Sequence, residues 1–250
     1  MPDVILERDG NVAVLIIDNA EVRNGLTAEM GDRVGELCDQ IDADHSIGAV
    51  VVQGANGTFC SGADTRTWNP NLAQTSDEGY ACSNAVYGAL ARVGRLQVAT
   101  VAAVRGAAVG AGMNLMLATD LRIVSEDARL LSGFLKIGLH PGGGFFTITN
   151  RTAGREATAA MGLFSQEISG RRAAELGLAW EAVPDPEVEE RALELAHLAA
   201  RDPLLTRRAV KSFRTETGPP QVTWEAALEI ERGVQMWSQA RRLAKQGAEA

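Results

Sequence analysis

The sequence predicts an α/β protein. Short buried-type strands alternate with helical periodicities through the first half of the chain, and glycine-rich loops follow several of those strands. Past Thr147 the composition shifts toward helix. With 250 residues, 46% of them hydrophobic, the chain can bury one large core, or a core with a helical appendage.

Taken in order, residues 3–9 and 11–18 read as strands joined at Asp9-Gly10, a hairpin pair. Leu26, Met30, Val34, Leu37 and Ile41 recur every three or four residues, an amphipathic helix with Thr27 placed to cap it. AVVVQG (49–54) is a buried strand and leads into the loop NGTFCSGAD. A long loop over 65–77 precedes a helix over 78–94; VATVAAV (98–104) is the next buried strand. LRIV (121–124) and the region 129–132 read as strands again. From Thr147 almost everything reads as helical. Val188, Ala192, Leu195 and Ala199 form one apolar stripe, and Trp224, Ala227, Ile230, Val234 and Trp237 form another. The expected division is a core over 1–185 and a helical region over 186–250, with no low-complexity linker and no repeat.

Composition excludes several classes. The net charge is −8, positive and negative residues are interspersed, and there is no basic stripe with interleaved aromatics, which argues against nucleic acid. Cys38, Cys60 and Cys82 are odd in number and lack metal-type spacing, as expected of a reducing cytosol rather than a disulfide framework or zinc site. The N-terminal MPDVILERDG is no signal peptide, and no apolar run is long enough to span a membrane. A cytoplasmic protein with no membrane insertion is the expectation.

Three glycine-rich points remain: FCSGAD (59–64), VRGAAVGAG (104–112) and GLHPGGG (138–144). Their spacing is not that of a dinucleotide fold, a phosphate loop or a nucleophile elbow. What they offer is two strand-to-loop turns able to aim backbone N–H groups at one oxygen. The positive end of a helix starting near Gly112 would add to that field.

These stretches, with AEVRNGLTAEM near the N-terminus and IGLHPGGG, resemble the crotonase superfamily, the enoyl-CoA hydratase/isomerase family, in order and spacing over residues 4–210. The resemblance implies a ββα spiral core and a helical C-terminal region that builds trimers or dimers of trimers. It also implies an acyl-coenzyme A thioester as ligand, with no cofactor beyond coenzyme A as part of the substrate, and no metal. Backbone N–H groups of Ala63 and Ala111 would form the oxyanion hole and hold the thioester oxygen as an enolate. Backbone of Ser61, Ala63, Asp64 and Thr65 would meet the adenine end. Arg23 stands either near the coenzyme A phosphates or as a solvated loop charge.

The same resemblance marks departures. The two glutamates that split water in the family's hydratases correspond to Asn114 and Phe134. Asn can orient a water, Phe can only shape the pocket, and neither moves a proton. Each positioned acid or base supplies roughly 10²–10⁴-fold, so standard hydration is expected to be severely weakened. Gly142 stands where family isomerases often carry an acid. His140 is the candidate replacement, with hydrogen bonding to loop backbone the competing reading. Glu78, Tyr80 and Tyr87 lie on the helix after the coenzyme A loop, where a surface or packing role is the expectation. Trp68 either lines the acyl entrance or pins a loop. Cys60 reads as a small core residue, and His45 and His197 as ordinary surface or helix positions. The last helix reads as shorter than the family's, which bears on how the coenzyme A is covered. The functional expectation is an acyl-CoA enzyme of the hydratase/isomerase type. The alternatives are a non-catalytic acyl-CoA-binding protein and a CoA-ester hydrolase or decarboxylase.

Overall fold

A computed structural model describes residues 2–67 and 77–218, the side chains of residues 77–83 excepted. In chain order the strands are β1 (Asp3–Asp9), β2 (Val12–Asp18), β3 (Ala49–Gly54), β4 (Ala99–Val104), β5 (Ala107–Val109), β6 (Leu121–Ser125), β7 (Arg129–Leu131), β8 (Ile168–Ser169) and β9 (Glu181–Val183). The helices are α1 (Ala28–Ala43), α2 (Asp77–Val93), α3 (Ala111–Ala118), α4 (Phe145–Gly162), α5 (Gly170–Glu175), α6 (Val188–Ala199) and α7 (Pro203–Thr217). Residues 68–76 and 219–250 lie outside the description, and with them Trp68 and the stripe from Trp224 to Trp237.

Among the described residues a six-stranded sheet runs β1-β2-β3-β4-β6-β9, and a three-stranded sheet runs β5-β7-β8. Only the β1–β2 hairpin is antiparallel in the larger sheet; it turns through Gly10 and Asn11, with Asp9 opposite Val12. The continuous apolar character of β3 follows from burial on both faces. Val50 and Val52 join the main core with α1 and α2, while Ala49 and Val51 face Val188, Ala192 and Ala196 of α6. Helix α6 thus covers the face of the sheet away from α1. Within these residues no helix is long and apolar enough to cross a membrane.

Helix α1 forms where its periodicity predicts, and the Thr27 hydroxyl accepts from Met30 N at 3.2 Å to cap it. Gly31 lets α2 come close: a Cβ there would lie 2.6 Å from the Ala85 carbonyl oxygen. The other end of α1 is closed by Arg207, buried on α7, whose guanidinium donates to the carbonyls of Ile41, Asp42, Asp44 and Ile47. Removing that donor set leaves several buried carbonyls without a partner, so Arg207→Leu is expected to lose about 3 kcal/mol of stability. Urea unfolding followed by circular dichroism checks it; a loss below about 1 kcal/mol would show that water takes over the carbonyls.

The helical run expected from Thr147 needs correcting. Helix α4 begins at Phe145, and strands β8 and β9 interrupt the region; β9 forms the far edge of the larger sheet, parallel to β6. Strands of two or three residues carry too little alternation to register as a period.

Candidate functional site

The site is built where two loops are zipped together at the ends of β3 and β4. Phe59 N donates to Arg105 O, Cys60 N to Ala107 O, and Val109 N back to Cys60 O. The chain therefore runs past itself closely, and Gly112 has no room for a side chain: a Cβ would sit 2.2 Å from the Cys60 carbonyl oxygen. Gly62 (φ 103°) is similarly pressed, with its Cβ direction 2.8 Å from Val109 O and 3.6 Å from Ala111 N. Ala63 pairs with Leu26 through Leu26 N to Gly62 O and Asp64 N to Leu26 O, each 2.8 Å.

This geometry brings the Ala63 and Ala111 segments side by side. Among the described residues neither Ala63 N nor Ala111 N donates to a backbone carbonyl. Ala111 opens α3, Gly110 supplies no side-chain cap, and the free N–H groups of that first turn carry the positive end of the helix dipole. Two unpaired donors and a helix N-terminus can stabilise a developing oxyanion.

The entry segment 19–25 is held by two buried asparagines. Asn24 accepts from Asn19 N and donates to Ala55 O and Thr58 O, while Asn19 donates to Gly25 O. Arg23 and Asn24 take left-handed backbone there (φ 52° and 61°). Arg23 is exposed, its carbonyl accepts from Ser61 N, and its side chain makes no hydrogen bond or ion pair among the described residues. Ser61 Oγ donates to Val22 O at 2.5 Å. Asp64 is buried and held by Arg66, Nε to Oδ1 at 3.0 Å and an Nη to Oδ2 at 2.9 Å, which keeps its carboxyl below the usual range. The Ser61 and Asp64 N–H groups are thus used within the protein. Thr65 is exposed at the start of a short 3₁₀ turn.

Asn114, one turn into α3, is buried. Its Nδ2 donates to Gly142 O at 2.8 Å, and its Oδ1 has no partner among the described residues. Because a carbonyl only accepts, the amide nitrogen must face Gly142, which fixes Oδ1 as the free acceptor. Phe134 is half-buried: its ring lies 3.8 Å from the Cβ direction of Gly110 and packs edge-on to Phe145, centroids 6.1 Å apart. Both residues therefore border the α3 N-terminus.

His140 is exposed, and its Nδ1 lies 2.7 Å from Pro141 O, so Nδ1 carries the hydrogen there. Its ring sits edge-on to Phe146. His45 is exposed, and His197 Nε2 meets Asp9 Oδ2 at 2.9 Å on the surface. Cys60 is fully buried, and burial pushes its thiol up to about 12, which leaves it inert as a nucleophile. Glu78 and Tyr80 lie on α2 with side chains outside the description. Among the described residues no group of three or more His, Cys, Asp or Glu is arranged to hold a metal. An open hollow of about 770 Å³ lies elsewhere, at the β1–β2 turn beside Arg191 and His197, and none of Ala63, Ala111, Asn114, Phe134 and His140 lines it.

Tyr87, expected in a surface or packing role, also puts its hydroxyl in the place a side chain at Gly142 would need, 2.2 Å from that Cβ direction. Leu90, three residues on, lines the same turn at 3.3 Å from the Cβ direction of Gly143. The i, i+3 spacing of the two was the available signal.

Comparison with known proteins gives the family and the fold. Residues 7–250 match the family model described as Enoyl-CoA hydratase/isomerase. A protein of Mycobacterium tuberculosis named as a probable enoyl-CoA hydratase is 34% identical over 217 residues, covering 87% of this chain and 83% of that one. The 1,2-epoxyphenylacetyl-CoA isomerase of Escherichia coli is 28% identical over 230 residues, covering 90% and 88%. Among solved structures, an enoyl-CoA hydratase from Polaromonas superposes with a TM-score of 0.88 at 22% identity, over 99% of this chain and 96% of that one. The described α/β core and the helices α6 and α7 that follow it are the crotonase architecture, and the chain belongs to the enoyl-CoA hydratase/isomerase family.

Proposed function

We propose that the protein binds an acyl-CoA thioester and stabilises its enolate, with the thioester oxygen between Ala63 N and Ala111 N. The observation that carries this reading is the pair of unpaired N–H groups brought together at the start of α3. Removing one such donor costs roughly 3 kcal/mol of barrier. Arg23 and the backbone of Ser61, Ala63, Asp64 and Thr65 lie on the adjoining segments and form the side toward coenzyme A. We place the protein in the cytoplasm as a trimer or dimer of trimers, an assembly that sedimentation velocity tests directly.

Enzymatic chemistry of the hydratase or isomerase type fits the relatives' names, but not through two carboxyls. Asn114 is tied to Gly142 and offers only the Oδ1 acceptor, which can orient a water; Phe134 excludes water. That pair also favours a second reading, an acyl-CoA-binding protein without turnover. Incubation with a panel of saturated, 2-enoyl, 3-enoyl and malonyl-type CoA esters separates the two. Mass spectrometry with chromatographic separation of isomers is expected to show conversion of an enoyl ester at a rate well below that of a two-glutamate hydratase. Retention of one ester without change supports the second reading, and no retention of any ester sinks both.

A further inference from the structure

The turn Pro141-Gly142-Gly143-Gly144 is contacted from two sides. Asn114 reaches it from α3 and donates to Gly142 O at 2.8 Å. Tyr87 reaches it from α2 and puts its hydroxyl 2.2 Å from where a Cβ on residue 142 would be, with the phenol carbon Cζ at 3.2 Å. A chain therefore runs from Ala111 at the start of α3, through Asn114 one turn on and Gly142, to a phenol. Along this chain the amide cannot give up a proton, and His140 holds its Nδ1 hydrogen against Pro141 O. Tyr87 is different: a phenol both donates and accepts, and at 44% exposed it is open to solvent.

We infer that Tyr87 is the proton donor of this site, delivering its O–H hydrogen to the α-carbon of the enolate held on Ala63 and Ala111; this rests on the acyl-CoA reading above. For a 2-enoyl ester, water oxygen forms the new bond to the β-carbon and the alkene pair shifts to give the enolate. The enolate pair then forms the α C–H bond with the phenol hydrogen, and the thioester carbonyl is restored. The O–H bonding pair remains on Tyr87 as a phenolate. The surplus proton of the added water returns to that phenolate through solvent, so one water is consumed and the residue is regenerated. No oxidant or further reactant is needed.

The glycine at 142 is part of the arrangement, because any side chain there would displace the hydroxyl. Gly142 does not use positive φ, so alanine is tolerated by the backbone and acts only through that collision.

The test uses the full chain and crotonyl-CoA in D₂O. Wild type is expected to place one deuterium at the α-carbon with a single configuration. Tyr87→Phe, which removes one oxygen at an exposed position, is expected to lower kcat on the order of 10²-fold, within the range of a positioned acid. Its affinity for a saturated acyl-CoA is expected to stay the same, and the residual product is expected to lose its single α-configuration. Gly142→Ala is expected to lower kcat similarly in wild type and little further in Tyr87→Phe, the non-additivity of a shared contact. Unchanged kcat and configuration in Tyr87→Phe would overturn the assignment. Wild type that binds the ester without converting it would overturn it too while leaving the binding reading intact, and absence of binding would remove both.

Discussion

Gly112→Ala is expected to abolish turnover and to weaken acyl-CoA binding, through a single added methyl. The Cβ would stand 2.2 Å from the Cys60 carbonyl oxygen and 2.9 Å from its carbon, both backbone atoms that cannot rotate away. Cys60 is itself pinned, its N–H donating to Ala107 O and its carbonyl accepting from Val109 N. The two loops must therefore separate, and Ala111 N moves away from the Ala63 segment. Loss of one oxyanion donor alone costs about 10²–10³-fold in kcat, and here the pair loses its spacing. Kinetics, acyl-CoA titration and a melting curve on the same sample check it. Gly35→Ala is the control: nothing lies within 4 Å of its Cβ direction in α1, and a gain of roughly 0.5–1 kcal/mol is expected there. An active Gly112→Ala protein with wild-type affinity would mean that the close approach at Cys60 does not set the donor geometry.

How far the sequence reaches is visible in such contacts. Strand β3 and helix α1 fall where their apolar patterns place them, because burial on both faces or on one face writes a continuous run or a 3.6-residue period. Gly62, Gly106 and Gly112 of FCSGAD and VRGAAVGAG mark the loops for a related reason, since a side chain at any of them would meet facing backbone. Strands β5, β8 and β9 left no such trace, being two or three residues long and held by partners distant in sequence. The free Oδ1 of Asn114 and the Tyr87 hydroxyl at Gly142 belong to the same class. Each depends on a contact between segments 28 and 55 residues apart, which no local pattern encodes. Asn114 and Phe134 were legible as identities; what those side chains touch was not.

Those identities lead to the second large effect: the double variant Asn114→Glu with Phe134→Glu is expected to raise hydration of 2-enoyl-CoA by roughly 10²–10⁴-fold. The two positions differ in the way an acid–base pair needs. A carboxyl at 114 is buried against the Gly142 carbonyl, where only its neutral form can donate a hydrogen bond, so burial and that bond both hold the proton on. A carboxyl at 134 is half-buried beside Gly110 and the positive end of α3, which favours the ionised form. Environments that push two carboxyls apart assign one as acid and the other as base. The two carboxyls act as a unit, so each single variant is expected to gain less than the double variant. Initial rates at saturating ester, with circular dichroism to confirm the fold, measure the effect. A folded double variant with no gain would show a pocket shaped for a different reaction. If the gain appears, Tyr87→Phe should lose most of its effect in that background, because the proton then reaches the α-carbon from a carboxyl and no longer from the phenol. Retention of the full Tyr87→Phe defect would instead place the phenol in ester positioning, where restoring the carboxyls cannot replace it.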